Sequence, residues 1–552
     1  MTNDFLKRTT HFRCLSRAIA SFIVLSILPC DSVKTVSQTV IAFDNSIDVS
    51  STGTAQQRTR VNSSGLVAKK NQQTSHPNVI LILADDLAWS DLACYGHPWH
   101  QTPELDQLAK TGKRFTQAYA SAPICSASRA SLLTGKSTAR LGFEFVTKNE
   151  PGHQKIDQAT RMKAPPYKLN LDLDHLTLPE LLSPIGYQSV FAGKWHLNAH
   201  HRQYLGWSPT HGPFQQGFSS CIEDFGSHPY AWKKNPPISI TQDGVFPKDS
   251  LIERFCRQLK SNIGKAPSFH MASFFHVHTP VKTSCEWLLK KYEKLIPRDT
   301  PNREKRVRYA AFVEILDHRV GQILQALKES DKLETTLIMF TSDNGGHPEY
   351  TANAPLRGSK WNLYEGGIRV PLIVNWPGTV KANTISNLPV IGYDIAPTLM
   401  EICGNQKGFK QSGNVDGTSF ANAILEKETN SPALHNTDPL TPDPLNQRSL
   451  IWHFPYYHPE TGYAKAVEGI GVNDFAVSKT HPQSAIRIGD YKLIWLPESK
   501  TTELYNLKQD ISESTNLAKA KPELNQVLRS RLINYLRRVD ARLAIDISHE
   551  ND

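Results

Sequence analysis

The chain has 552 residues, 39% of them hydrophobic and 21% charged, and a formal net charge of +10. That length exceeds one ordinary core and points to two domains, and the apolar content excludes a disordered chain. The basic balance suits a polyanionic partner, yet no zinc-finger spacing, basic zipper or aromatic-basic RNA motif is present, so nucleic acid is not expected.

Residues 1–30 read as a secretory signal. Lys7, Arg8, Arg13 and Arg17 lead into the apolar run from Ala18 to Leu28, long enough for an h-region and short for a bilayer span. With Asp4 included, that segment carries three of the ten charges and its removal leaves +7. The expectation is export to the periplasm or the medium, with no stable membrane span. Residues 31–76, rich in Ser, Thr, Gln and Asn, read as a flexible leader. Order begins at Pro77. Val79-Ile80-Leu81-Ile82-Leu83 is the pattern of a strand buried on both faces of a parallel sheet. Asp85 and Asp86 stand at its C-terminal end, where ligands bind in open α/β sheets.

Residues 103–111 read as a helix. The stretch SAPICSASRASLLTG, 121–135, places Arg129 one turn after Cys125 if a helix begins near Ser126. A guanidinium and a helix N-terminus would then both face position 125 and favour anionic chemistry there. Residues 177–186 read as a capped helix with Pro179 in its first turn. A strand at 187–192 leads into Gly193-Lys194-Trp195-His196, where Lys194 and His196 alternate and can enter one pocket while Trp195 packs in the core. Another apolar strand, 268–277, runs into His276 and His278. A long amphipathic helix at 304–329 precedes the strand 336–341, which ends in Ser342-Asp343-Asn344-Gly345-Gly346. Strand and helix alternate throughout, so the class is α/β.

Residues 426–448 read as an exposed loop, with 77–425 before it as a catalytic α/β domain and 449–545 after it as a smaller α+β domain. In the latter, 449–454, 485–488 and 491–495 look antiparallel, with a Gly489-Asp490 turn, and 521–540 is a closing helix. Of eight cysteines, Cys14 and Cys30 lie in or beside the signal. Setting Cys125 aside leaves Cys94, Cys221, Cys256, Cys285 and Cys403, which allow one or two disulfides but specify no framework. Asp85, Asp86, Asp343 and Asn344 all follow buried strands and are hard oxygen donors, suited to Ca²⁺ or Mg²⁺ rather than zinc.

Cys125, Ala127, Ser128 and Arg129, with Leu133-Thr134-Gly135 as a tail, resemble the motif of the formylglycine-dependent sulfatases. The third position is Ala127 where Pro is commoner, which bears on the choice of maturation enzyme. The resemblance runs from about residue 77 to about 520. It implies the alkaline-phosphatase-superfamily fold: a large mixed-sheet α/β domain and a smaller C-terminal α+β domain with an antiparallel sheet and a helix. It further implies that Cys125 is oxidised to formylglycine (3-oxoalanine) by a formylglycine-generating or anaerobic sulfatase-maturating enzyme. Asp85, Asp86, Asp343, Asn344 and the modified residue 125 would hold one cation, usually calcium.

Gly193-Lys194-Trp195-His196 matches a second family motif, in which Lys194 contacts substrate and nucleophile and His196 removes a proton from the formylglycine hydrate. His278, in His-Thr-Pro, corresponds to the histidine that protonates the leaving group, with His276 its neighbour. Leu356-Arg357-Gly358-Ser359-Lys360-Trp361 and the following Tyr364-Glu365-Gly366-Gly367 match a third motif, in which Lys360 contacts the sulfate and leaving oxygen. Trp361 stands where many relatives have Gly and would narrow the site mouth; Arg369 reads as structural. Ser227 and His228 fall where some relatives bind the sulfate, and His347 is a candidate wall residue. The implied activity is hydrolysis of a sulfate ester, on a sulfated glycan or a small ester, and Trp452, His453, Tyr456, Tyr457 and His458 suit a sugar-lined cleft. Two alternatives stand beside it. One is a phosphodiesterase or phosphonate monoester hydrolase with the same nucleophile. The other is a non-catalytic glycan-binding relative, against which the intact residue set argues.

Overall fold

The apolar run after Pro77 forms the strand Asn78–Ala84, and its side chains divide by parity. Ile80 and Ile82 enter one hydrophobic core, while Val79, Leu81 and Leu83 enter another. The computed structural model describes residues 76–548 apart from 233–234, 263–265, 407, 409–412, 427–447 and 474. All of them fall in one compact unit. The expected signal, the leader except His76, and the expected loop 426–448 except its two end residues lie outside the described residues.

Asn78–Ala84 is a central strand of a nine-stranded sheet, in the order Val390–Ile391, Lys113–Tyr119, Arg369–Asn375, Thr336–Ser342, Asn78–Ala84, Ser268–Ser273, Gln188–Gly193, Ser220–Ile222, with Thr384–Ser386 beside Lys113–Tyr119. Arg369–Asn375 runs antiparallel to both its neighbours, and the other pairings are parallel. The helix Arg303–Glu329 lies on one face and contributes Phe312, Leu316 and Ile323 to the core that holds Ile80 and Ile82. The helices Cys125–Thr134, Leu178–Leu182 and Ile395–Ile402 supply Leu132, Leu181 and Leu399 to the other core.

A separate antiparallel sheet, Ser449–Phe454, Gln483–Ile488, Tyr491–Leu496 and Thr501–Asn506, is covered by the helix Pro522–Arg538 through Leu528 and Leu532. Its other face sets Trp452 and Phe454 against Tyr119, Ile124 and Phe145 of the larger part. The fold is thus the mixed α/β sheet with a C-terminal antiparallel sheet that the resemblance implied.

Local differences have local causes. The strand Thr501–Asn506 escapes the sequence reading because TTELYN buries only Leu504 and Tyr505. Lys113–Tyr119 does so because it mixes charged and apolar residues on both parities. The helix expected over 177–186 stops at Leu182 and passes into a 3₁₀ turn at Ser183–Ile185, where Pro184 has no N–H to continue the ladder. The strand expected over 268–277 ends at Ser273, which puts His276 and His278 on a loop. No disulfide forms among the described cysteines: Cys94, Cys125, Cys221, Cys256, Cys285 and Cys403 are all free.

Asp317 of the long helix accepts hydrogen bonds from the backbone N–H of Glu104 (3.1 Å) and Leu105 (2.8 Å), at the start of the helix Pro103–Lys110. Burial lifts its carboxyl to about 7. A folded-state value above the unfolded one gives stability that is complete below about pH 4 and is lost as pH rises through about 7. Asp317→Asn is therefore expected to flatten the decline of Tm between about pH 4 and 7, measured by thermal melts across that range.

Candidate active site

Four adjacent strands, Thr336–Ser342, Asn78–Ala84, Ser268–Ser273 and Gln188–Gly193, run parallel and end on the same side. Their C-terminal ends deliver Asp343 and Asn344, Asp85 and Asp86, His276 and His278, and Lys194 and His196. Gly193 makes this convergence possible: at φ +95° it turns the chain so closely that a Cβ would lie 2.1 Å from the Ser273 carbonyl oxygen. Gly345 does the same for a second junction, where a Cβ would lie 2.0 Å from the Gly366 oxygen and push apart the two loops that carry Asp343 and Lys360.

Cys125 is the first residue of the helix Cys125–Thr134, whose N-cap Ile124 offers no side-chain acceptor, so the positive end of the helix lies at the sulfur. Gly135, at φ +68°, closes the same helix with its N–H on the Ser131 oxygen, the structural use of the Leu-Thr-Gly tail. The Cys125 Sγ lies 3.5 Å from Asp85 Oδ1 and 4.0 Å from Asp86 Oδ1. Burial pushes its thiol up, well away from the thiolate.

Around the sulfur, three buried carboxylates each face a buried cation. Lys194 Nζ is 2.5 Å from Asp85 Oδ2, Lys360 Nζ is 2.7 Å from Asp86 Oδ2, and Arg129 reaches Asp343 Oδ2 through Nη2 at 2.7 Å and Nε at 2.8 Å. Arg129 also donates to the Lys194 carbonyl (2.7 Å) and to Ser273 Oγ (2.5 Å), so its guanidinium ties three strand ends together. Burial and the neighbouring Asp85 lift Asp343 to about 7, whereas Lys360 and Lys194 outweigh burial and hold Asp86 low. Asn344 donates from Nδ2 to Asp86 Oδ1 at 2.7 Å, while its Oδ1 is buried with no hydrogen-bond partner. Crowded carboxylates beside an unpartnered amide oxygen fit a hard divalent cation. Asp85, Asp86, Cys125 and His278 each offer a ligand atom within 4.8 Å of the others. Asp86 and His196 both sit in the left-handed region, at φ +62° and +59°, backbone strain of the kind that collects at functional sites.

The floor formed by Cys125, His278 and Lys360 opens into a cavity of about 480 Å³. His278 donates from Nδ1 to the Thr279 oxygen (2.6 Å), beside the Tyr230 hydroxyl (3.1 Å), which leaves Nε2 3.7 Å from Asp86 Oδ2. Burial, then Lys360 and Lys194, keeps this imidazole neutral. Burial and Lys194 do the same for His196, whose Nδ1 is buried and unpartnered. Trp361 lies on the wall with its indole stacked on His458, centroids 3.8 Å apart, and the edge of His347 against it at 4.8 Å. Its φ of +81° is one that glycine adopts freely.

The structure moves several expected site residues. Ser227 is held by Asp249 through both its N–H (2.8 Å) and its hydroxyl (2.6 Å) and lines a different hollow, so it is not on the wall over Cys125. His228 is buried behind His278, donating from Nε2 to the His278 carbonyl at 2.9 Å, and supports that loop from the far side. Trp452, His453, Tyr456 and Tyr457 are core residues, 2% exposed or less, and of that aromatic set only His458 lines the cavity. His347 does lie on the wall. Arg369 is structural, its guanidinium on the Thr116 oxygen and on Glu365. Sequence reading missed Ser273, which orients Arg129, and the lining residues His200, Tyr204, Lys148 and Glu460. Ser273 gave no signal because the apolar run continues past it to residue 277 and hides the strand's end, and the others sit on loops that carry none.

A buried cluster of cations, carboxylates and neutral imidazoles at the floor of an open cavity defines a class: hydrolases of esters of small oxyanions. The family model described as Sulfatase matches residues 77–405, and the chain belongs to the sulfatase family; it is a sulfuric ester hydrolase. It is 28% identical over 536 residues to a sulfatase of Formosa agariphila, covering 84% of this chain and 90% of that one. It is 31% identical over 375 residues to N-acetylgalactosamine-6-sulfatase of Homo sapiens, covering 63% and 66%. Among solved structures it resembles Ps i-CgsB in complex with k-i-k-neocarrahexaose, with a TM-score of 0.62 and 23% identity over 84% of this chain and 93% of that one, a likeness of fold.

Proposed function

We propose that the chain is an exported enzyme that hydrolyses a sulfate monoester on a carbohydrate, with a formylglycine made from Cys125 and a calcium ion as its resident groups. The observation that carries this reading is the meeting of Asp85, Asp86, Asp343 and Asn344 with Arg129, Lys194 and Lys360 around Cys125. The carbohydrate is supported by the relative named N-acetylgalactosamine-6-sulfatase and by a cavity lined with both aromatic rings and polar groups. Export fits the apolar run in residues 1–30, and no described helix is long and apolar enough to cross a membrane. The exported chain would depend on a maturation enzyme that accepts Ala127.

Asp85, Asp86, Asp343 and Asn344 would hold the calcium ion, with residue 125 beside it. Bound there, calcium would offset charge on the sulfate oxygens, and a hydrated formylglycine would supply both the attacking hydroxyl and the second hydroxyl through which sulfate is released. Lys194 and Lys360 direct their ammonium groups at the same small volume and orient the sulfate. Arg129 fixes Asp343 and the Lys194 backbone, so its part is positioning. His278 holds its Nδ1–H on the Thr279 oxygen and keeps Nε2 for the leaving oxygen. To protonate a departing sugar alkoxide it would first take up a proton from solvent at Nε2, in the complex where the bound sulfate offsets the charges of Lys360 and Lys194. His196, neutral and with an unpartnered Nδ1, takes up the proton released at position 125. Ser227, His228 and His347 contribute through the loops and the wall rather than through the reacting atoms.

The test is sulfate release from a panel of sulfated galactose, N-acetylgalactosamine and glucosamine derivatives, with the chain co-expressed with a formylglycine-generating enzyme and an aryl phosphate alongside. Turnover of at least one sulfated sugar, ahead of the phosphate ester, is expected. Faster turnover of the phosphate ester would replace this reading with the phosphodiesterase alternative. On the active substrate, Trp361→Gly is expected to keep kcat and raise KM by roughly two- to tenfold, because an aromatic face is worth about 0.5–1.5 kcal/mol. Glycine also suits the φ of +81°, so the variant should fold; steady-state kinetics and a thermal melt check both points.

A further inference from the structure

The loop 199–206 separates two hollows. His200 and Tyr204 line the catalytic cavity, while His201, Arg202 and Gln203 line a second hollow of about 580 Å³ together with Trp207, Phe214, Gln215 and Glu223. The ridge between them is built rather than loose. His201 donates its N–H to the Gly206 oxygen (3.1 Å), Gly206 to the Gln203 oxygen (3.0 Å), and Asn198 Nδ2 also holds the Gly206 oxygen (3.1 Å). Arg202 and Leu205 are both left-handed, at φ +61° and +60°, and a Cβ on Gly206 would lie 2.0 Å from the His201 oxygen. This winding is what sends residues 200 and 204 to one hollow and 201 to 203 to the other. On the ridge, Tyr204 is half exposed, its ring edge against His200 at 4.8 Å.

The lining of the second hollow has the chemistry of a sugar site. Trp207 and Phe214 supply apolar ring faces, and Phe214 is 55% exposed. Gln203 and Gln215 supply amides for hydroxyl groups, and Glu223, which accepts the backbone N–H of Trp207 at 2.9 Å, keeps further acceptor capacity. The exposed Arg202 supplies a fork for a sulfate or carboxylate. We propose that this hollow is a second glycan-binding site, which takes the neighbouring units of the same sulfated oligosaccharide whose ester lies over Cys125, with the chain crossing the ridge at Tyr204. The inference rests on the carbohydrate reading above and deepens it: the substrate is an oligosaccharide rather than a single sugar.

The test compares kcat/KM for a monosaccharide and a hexasaccharide bearing the same terminal sulfated sugar, in the matured full-length chain and in the double variant Arg202→Gly, Phe214→Ala. Glycine suits the backbone at 202, and Phe214 is exposed, so the variant should fold; its Tm is measured to show that it does. The hexasaccharide is expected to be favoured about tenfold or more by the unaltered chain, because contacts remote from the reacting bond add to transition-state binding, and the variant should lose most of that preference. Equal kcat/KM for the two lengths in the unaltered chain, or an unchanged ratio in the variant, overturns the second site and leaves the sulfated-sugar reading standing. Release from neither length, with an aryl sulfate turned over, overturns both.

Discussion

Replacing Cys125 with Ala or with Ser is expected to lower sulfate release by on the order of 10⁴-fold or more, the scale seen when a nucleophile is removed from an enzyme. Either change should leave the fold intact. Residue 125 is buried, the three side chains differ little in size, and the sulfur makes only long contacts to Asp85 and Asp86. The comparison with Ser is the informative one. Serine places a hydroxyl near the position of the sulfur but offers only one, so it can attack yet has no second hydroxyl through which to release sulfate. It should therefore behave as an inactive protein or one that stalls after a single turnover. Thermal melts should show both variants within a few degrees of the parent, and steady-state sulfate release should show both near background. Sustained turnover by the serine variant would contradict the role given to position 125.

Arg129→Ala is expected to be the most damaging single change to the fold of the site. The guanidinium is 1% exposed and satisfies Asp343, the Lys194 carbonyl and Ser273 together, with Asp85 3.7 Å away. Truncating it leaves the buried Asp343 carboxyl without its partner, a loss of up to roughly 3–5 kcal/mol above about pH 7. The loss shrinks at lower pH as this carboxyl, already lifted to about 7, takes up a proton. Arg129→Lys should not rescue it, because one ammonium cannot reproduce the planar fork that serves three strand ends at once. The double variant Arg129→Ala, Asp343→Asn should recover part of the stability, since it removes the stranded charge, while remaining inactive because it alters a proposed ligand of the cation. Denaturant unfolding of the three variants measures this. Equal stability of Arg129→Ala and the parent would show that Asp343 is not held as a charged partner.

The parts of the site that could be read from the residues are those where strand chemistry and ligand chemistry meet. Val79–Leu83 and Leu337–Phe340 are apolar because they are buried on both faces, so the polar residues that follow them, Asp85, Asp86, Asp343 and Asn344, stand out against the pattern. Lys194 and His196 became legible through the alternation after Gly193, and Cys125 with Arg129 through the helical spacing. What stayed hidden depends on loops and on the second sheet. Nothing in the spacing of Tyr456, Tyr457 and His458 tells that the first two pack inside while the third stacks on Trp361. His228 sits beside His278 only because two distant loops pack together, and the sequence carries no signal for that contact. The polar strand Thr501–Asn506 earns its place by pairing with Tyr491–Leu496, which is a tertiary cause.

The most direct measurement of the central claim is the mass of the tryptic peptide carrying residue 125, taken on the same preparations whose sulfate release is assayed, with the maturation enzyme supplied at graded levels. The account predicts that activity rises in proportion to the fraction of formylglycine and passes through zero where all of position 125 is cysteine. Full activity in preparations whose position 125 remains cysteine would contradict it.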